Sequence, residues 1–97
     1  MNISRQIFVS GRVQGVFFRE TTWQIASELK LTGGVRNLSD GRVEVQVSGK
    51  EETVKSLIKW LEIGPKLAKV SNIEVLDSAV DLVTQQKNGR FTIWPTK

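Results

Sequence analysis

At 97 residues, 39% of them hydrophobic and 25% charged, the sequence has the length and balance of one globular domain spanning residues 1–97 around a modest core, not of a disordered or fibrous chain. It contains neither cysteine nor histidine, so disulfides, thiolate nucleophiles, imidazole general bases and a conventional zinc site are all excluded. The formal net charge of +4 favours anionic partners without naming them: a phosphorylated metabolite, a nucleic acid and mere solubility all fit.

No apolar run approaches the roughly 20 residues needed to cross a bilayer, and Met1–Gln6 lacks the long apolar stretch of a signal peptide. The expectation is a cytoplasmic chain without membrane contact.

Arg5 to Val13 alternates, with Ile7, Val9 and Val13 on one face, and reads as a strand. From Glu20 the period changes to that of a helix, with Trp23, Ala26 and Leu29 on one side and an end expected near Lys30, before Gly33-Gly34. Between strand and helix lies Ser10-Gly11-Arg12-Val13-Gln14-Gly15-Val16-Phe17-Phe18-Arg19. Two glycines in a short connection, with an arginine where the helix should start, let backbone N–H groups and a guanidinium converge on one anion. The plainer reading, a strand-to-helix turn that merely needs glycine, competes with it.

Val35–Leu38 is a short strand, and Val43, Val45 and Val47 alternate with polar residues in a longer one. Ser39-Asp40-Gly41 between them predicts a hairpin, whose turn needs positive φ values that Asp-Gly tolerates. Ser48-Gly49-Lys50-Glu51 has capping-box spacing, ahead of Val54, Leu57, Ile58 and Leu61 at helical intervals. Gly64-Pro65 should stop that helix and Lys66–Lys69 form a loop. Val70–Leu76 reads as a strand with Ile73 and Val75 facing inward, Asp77–Arg90 is polar and weakly patterned, and Phe91–Trp94 suits a short closing strand.

The order strand, helix, strand, strand, helix, strand suggests an α+β ferredoxin-like βαββαβ sandwich: an antiparallel sheet, two helices on one face, and a short C-terminal strand. In that topology the first two strands end at the same edge of the sheet. Asn37 should therefore lie beside the glycine loop and Arg19.

The run Gly11–Arg19, followed by Val35-Arg36-Asn37 and Asp40-Gly41-Arg42-Val43-Glu44, resembles the acylphosphatase signature. Trp60, Gly64–Val70 and Phe91-Thr92-Ile93 extend the resemblance over nearly the whole chain. It implies hydrolysis of an acyl phosphate to a carboxylate and inorganic phosphate, without metal, cofactor or covalent intermediate. It also implies that Arg19 and the loop amides of Gln14, Gly15, Val16, Phe17 and Phe18 hold the phosphoryl group while Asn37 positions the attacking water. A carboxylate leaving group, with an acid pKa of roughly 4, departs at neutral pH without a strong general acid.

Two positions depart from the family's pattern: Lys30 stands where a glycine is usual, and Gly34 where a tryptophan is frequent. A lysine at a left-handed helix end carries strain of about 1 kcal/mol. Phe17 and Phe18 read as core or loop supports rather than groups that stack on a ligand, and Trp23 and Trp60 as packing residues.

Two rivals frame this expectation. The same element order builds RNA-binding domains, but Arg42–Val47 carries none of the stacking aromatics they need, and Glu44 would repel phosphate. A noncatalytic relative that binds phosphate or carboxylate without turnover would have little use for both Arg19 and Asn37. Nothing in the sequence asks for more than a monomer or for a nucleic-acid partner.

Overall fold

The computed structural model describes residues 1–78 and 90–97. The elements are β1 (Asn2–Arg12), α1 (Phe18–Glu28), β2 (Thr32–Asn37), β3 (Val43–Lys50), α2 (Glu51–Leu61), β4 (Lys69–Asp77) and β5 (Phe91–Ile93). They form a five-stranded sheet in the order β4-β1-β3-β2-β5. Its four long strands pair antiparallel, as expected for the ferredoxin-like sandwich, and β5 adds parallel to β2, which makes the sheet mixed. Most of the weakly patterned Asp77–Arg90 stretch lies outside the described residues.

The alternation in β1 and β3 becomes the core: Ile7, Val9, Val43, Val45 and Val47 are fully buried on the face that the helices cover. Val54, Leu57 and Leu61 close it from α2, and Phe18 and Ala26 from α1. Phe18 also meets Trp60 of α2, ring centroids 5.7 Å apart. The helices lie over β1, β3, β2 and β5, so the edge strand β4 has little cover. Ile73 packs against the core, but Val75, expected to face inward, is 40% exposed.

Two local expectations are corrected. Ser48 does not cap α2: it belongs to β3, where its hydroxyl bonds that of Ser4 at 2.5 Å, and the strand runs straight into a helix whose N-cap is Lys50. The tertiary pairing of β1 with β3 holds Ser48 in the ladder and overrides the local capping pattern. In the β2–β3 turn, Leu38 N–H donates to the Arg42 carbonyl at 2.8 Å across Ser39-Asp40-Gly41, and only Gly41 has positive φ, 98°. This is a three-residue loop, a turn followed by one left-handed glycine, and not a two-residue turn with two positive φ values.

At the end of α1, Lys30 N–H donates to Ser27 and Leu31 N–H to Ala26, both at 3.0 Å, the paired bonds of a Schellman motif. Lys30 sits at φ 58°, the left-handed position expected of it. The other departure has its counterpart in packing: the indole of Trp94 lies directly on Gly34, where any side chain would collide with it.

The sheet face away from the helices is polar. Glu44, 3% exposed, accepts from Arg36 Nε at 2.7 Å, Gln6 Nε2 at 2.7 Å and Gln46 Nε2 at 2.9 Å. Burial, the largest single influence, pushes the Glu44 carboxyl up. The hydrogen bonds from Gln6, Gln46 and Arg36, with the Arg36 charge, outweigh it and hold the pKa below the ordinary value.

Candidate active site

Between β1 and α1 the chain is pinned inward at alternate points. Val13, Val16 and Phe18 are 1–3% exposed, while Gly15 and Phe17 face out. Both outward residues are left-handed, Gly15 at φ 74° and Phe17 at φ 63°. Positive-φ residues alternating with negative-φ ones let successive N–H groups turn toward one concavity, as in backbone nests that cradle anions. Among the described residues, no backbone N–H from Gln14 to Glu20 donates a hydrogen bond, and no side chain caps α1. The positive end of the helix dipole therefore points at the same place.

Arg19, the second residue of α1, is half-buried and has no ion pair or hydrogen-bond partner among the described residues. A half-buried guanidinium at a helix N-terminus, opposed by the dipole, is unfavourable unless an anion joins it.

Asn37 arrives from the other direction. Val43 of β3 lies opposite Val9 of β1 on one side and Asn37 of β2 on the other, so Asn37 is level with Val9 and both strands run on toward the same edge of the sheet. The side-chain oxygen of Asn37 is buried with no hydrogen-bond partner among the described residues. A buried polar atom without a partner costs about 1–3 kcal/mol, so its place in the fold calls for a water or ligand. Gly15, Phe17, Phe18, Arg19 and Asn37 line one cavity of about 190 Å³, together with Val13 and Glu20. Val16 is buried and does not line it.

Gln14 does not line the cavity, but its side chain braces the loop. Its side-chain Nε2 donates to the carbonyls of Leu38, at 2.8 Å, and Arg42, at 3.0 Å. The loop is thus tied to the turn that follows Asn37. Thr21 adds a second tie, its Oγ1 and its N–H both donating to the Phe17 carbonyl, at 2.8 and 3.1 Å. Neither role shows in the sequence, because each partner is fixed only once the loop is folded. Phe17 is the corrected residue here: Phe18 is core, but Phe17 is 67% exposed on the rim of the cavity and is not part of the core.

This arrangement can hold a tetrahedral dianion on backbone N–H groups and a guanidinium, with an amide beside it to orient a small polar molecule. The described residues contain no group of three or more acidic side chains close enough to share a metal ion.

The family model described as Acylphosphatase matches residues 5–93. The chain belongs to the acylphosphatase family. An acylphosphatase of Pseudomonas paraeruginosa is 57% identical over 68 residues, covering 70% of this chain and 75% of the relative. Among solved structures, the acylphosphatase from Coxiella burnetii superposes with a TM-score of 0.85 at 39% identity, over 96% of this chain and 93% of that one. The acylphosphatase from Bacillus subtilis gives 0.85 at 36% identity, over 97% and 99%. As family membership leads one to expect, the four antiparallel strands and two helices have the ferredoxin-like arrangement.

Proposed function

We propose that this chain is an acyl phosphate hydrolase that works without a metal, with Arg19 and Asn37 as its catalytic pair. The observation that carries the reading is that Gly15, Phe17, Phe18, Arg19 and Asn37 line one cavity, and that among the described residues the loop N–H groups, the guanidinium and the amide oxygen have no partner. The phosphoryl group sits on the N–H groups of the Gln14–Phe18 loop and Arg19, whose planar fork grips two oxygens at once, as a lysine cannot. Asn37 accepts a hydrogen bond from a water molecule and holds it in line with the scissile bond. The water oxygen bonds to phosphorus as the bond from phosphorus to the acyl oxygen breaks. The electron pair leaves on the carboxylate, and the water's proton ends on phosphate.

An amide is too weak a base to deprotonate that water, and it need not do so. In a loose phosphoryl-transfer transition state bond breaking runs ahead, and a carboxylate departs readily, so positioning and charge stabilisation carry the rate. We take residues 1–97 as one domain that acts in the cytoplasm as a monomer on a small substrate, with neither nucleic acid nor membrane as partner.

Hydrolysis of benzoyl phosphate, followed with and without a chelator, tests the reading. Turnover well above the spontaneous rate and unchanged by the chelator is expected. No turnover overturns the hydrolase reading, and loss of turnover with the chelator overturns its metal-free form.

A further inference from the structure

Phe17 is a large apolar side chain from which the fold draws little burial. Its neighbours Val16 and Phe18 are 3% and 2% exposed, whereas Phe17 is 67% exposed and held at φ 63°, a region that side chains with a β-carbon avoid. Strained backbone of this kind persists where something other than stability uses it. A side chain added at Gly15, which lines the same cavity, would meet nothing within 4 Å, so the cavity is open on that side. Glu20 stands on the same rim, exposed and without an ion-pair partner among the described residues.

We propose that Phe17 and Glu20 select the acyl half of the substrate, favouring an apolar, uncharged acyl group over one that carries a second anion. The proposal rests on the acyl phosphate reading of the cavity. With the phosphoryl group seated on the loop N–H groups and Arg19, the acyl group leaves through the mouth. There an apolar group lies against the Phe17 ring and both surfaces shed water. A second carboxylate or phosphate in the same place faces Glu20 and is repelled.

Three substrates separate these effects: acetyl phosphate, benzoyl phosphate and para-carboxybenzoyl phosphate, which has the benzoyl shape with an added charge. The readout is the ratio of kcat/KM values on each variant, from which any general loss of loop geometry cancels. In Phe17→Ala the preference for benzoyl over acetyl phosphate should fall about 10-fold, and Phe17→Leu should restore most of it. In Glu20→Gln the preference for benzoyl over para-carboxybenzoyl phosphate should fall about 3- to 10-fold, and in the unaltered chain that preference should shrink as salt rises to about 0.5 M. A ratio that moves in one variant alone keeps that residue's part and overturns the other's. Turnover of all three substrates with both ratios unmoved overturns the proposal alone, while no turnover of any by the unaltered chain overturns the hydrolase reading and this proposal with it.

Discussion

Gln14 donates its side-chain amide to the carbonyl of Leu38 at 2.8 Å, the residue directly after Asn37. This bond, with the second to Arg42, links the two halves of the candidate site through one side chain. Both carbonyls also accept backbone N–H groups, Leu38 from Gly41 and Arg42 from Leu38, so losing Gln14 leaves neither without a partner. Gln14→Ala should therefore cost only about 1 kcal/mol of stability. It should cost more in rate, about 10-fold in kcat, because the loop and Asn37 lose their fixed spacing. Denaturant unfolding and steady-state kinetics on the same preparation check both halves.

Arg19→Ala should abolish turnover and inorganic phosphate binding while leaving the fold intact, since Arg19 has no partner within the described fold to lose. Arg19→Lys should recover little, because a point charge cannot replace a bidentate fork. Product inhibition by phosphate and circular dichroism separate a binding loss from an unfolded chain.

Asn37→Ala should act on the rate and not on binding. We expect kcat to fall about 100-fold or more, as when one positioned polar group is removed, with little change in phosphate inhibition. Weakened phosphate binding with kcat spared would contradict the water-orienting role.

Lys30→Gly should stabilise the protein. Lys30 occupies the left-handed position of the Schellman motif at φ 58°, where glycine has no β-carbon penalty. The expected gain is about 1 kcal/mol, or roughly 4–8 °C in Tm for a domain of this size. Thermal unfolding measures it, and no effect on kcat is expected.

Glu44 gives the stability a defined dependence on pH. Its carboxyl is held below the ordinary value in the folded state, so its contribution is complete above the unfolded pKa, about 4.3, and is lost as pH falls through the lowered folded value. Glu44→Gln should be less stable than the unaltered chain at neutral pH and lose less on acidification. The difference between the two denaturation curves should narrow as pH falls below the unfolded value and close once it is below the lowered folded one. A constant difference down to strong acid would show that the carboxylate charge contributes nothing.

The sequence carried most of the architecture because the core strands are simple. Val43, Val45 and Val47 alternate without interruption, and Val54, Leu57 and Leu61 keep helical spacing, so period alone assigns their inward faces. The meeting of Asn37 with the glycine loop followed from strand order, since two strands antiparallel to a third run the same way and finish toward the same edge of the sheet. What failed depended on tertiary competition. Ser48 has a capping pattern, yet the β1–β3 ladder claims it. Val75 has the right parity, yet an edge strand with little helix cover leaves it exposed. Phe17 and Phe18 are identical side chains in sequence, and only the handedness of the backbone at Phe17 sends one outward and the other into the core. The fit of Trp94 over Gly34 joins residues far apart in the chain, brought together by the parallel pairing of β5 with β2.

If water oriented beside an anchored phosphoryl group attacks phosphorus without a metal, its oxygen must end on phosphate. Hydrolysis of benzoyl phosphate in isotopically labelled water, with a chelator present, reads this out. Turnover well above the spontaneous rate is expected, with the heavy oxygen in inorganic phosphate and none in benzoate. Label in benzoate, or a rate no greater than the uncatalysed one, would overturn attack at phosphorus by metal-free catalysis.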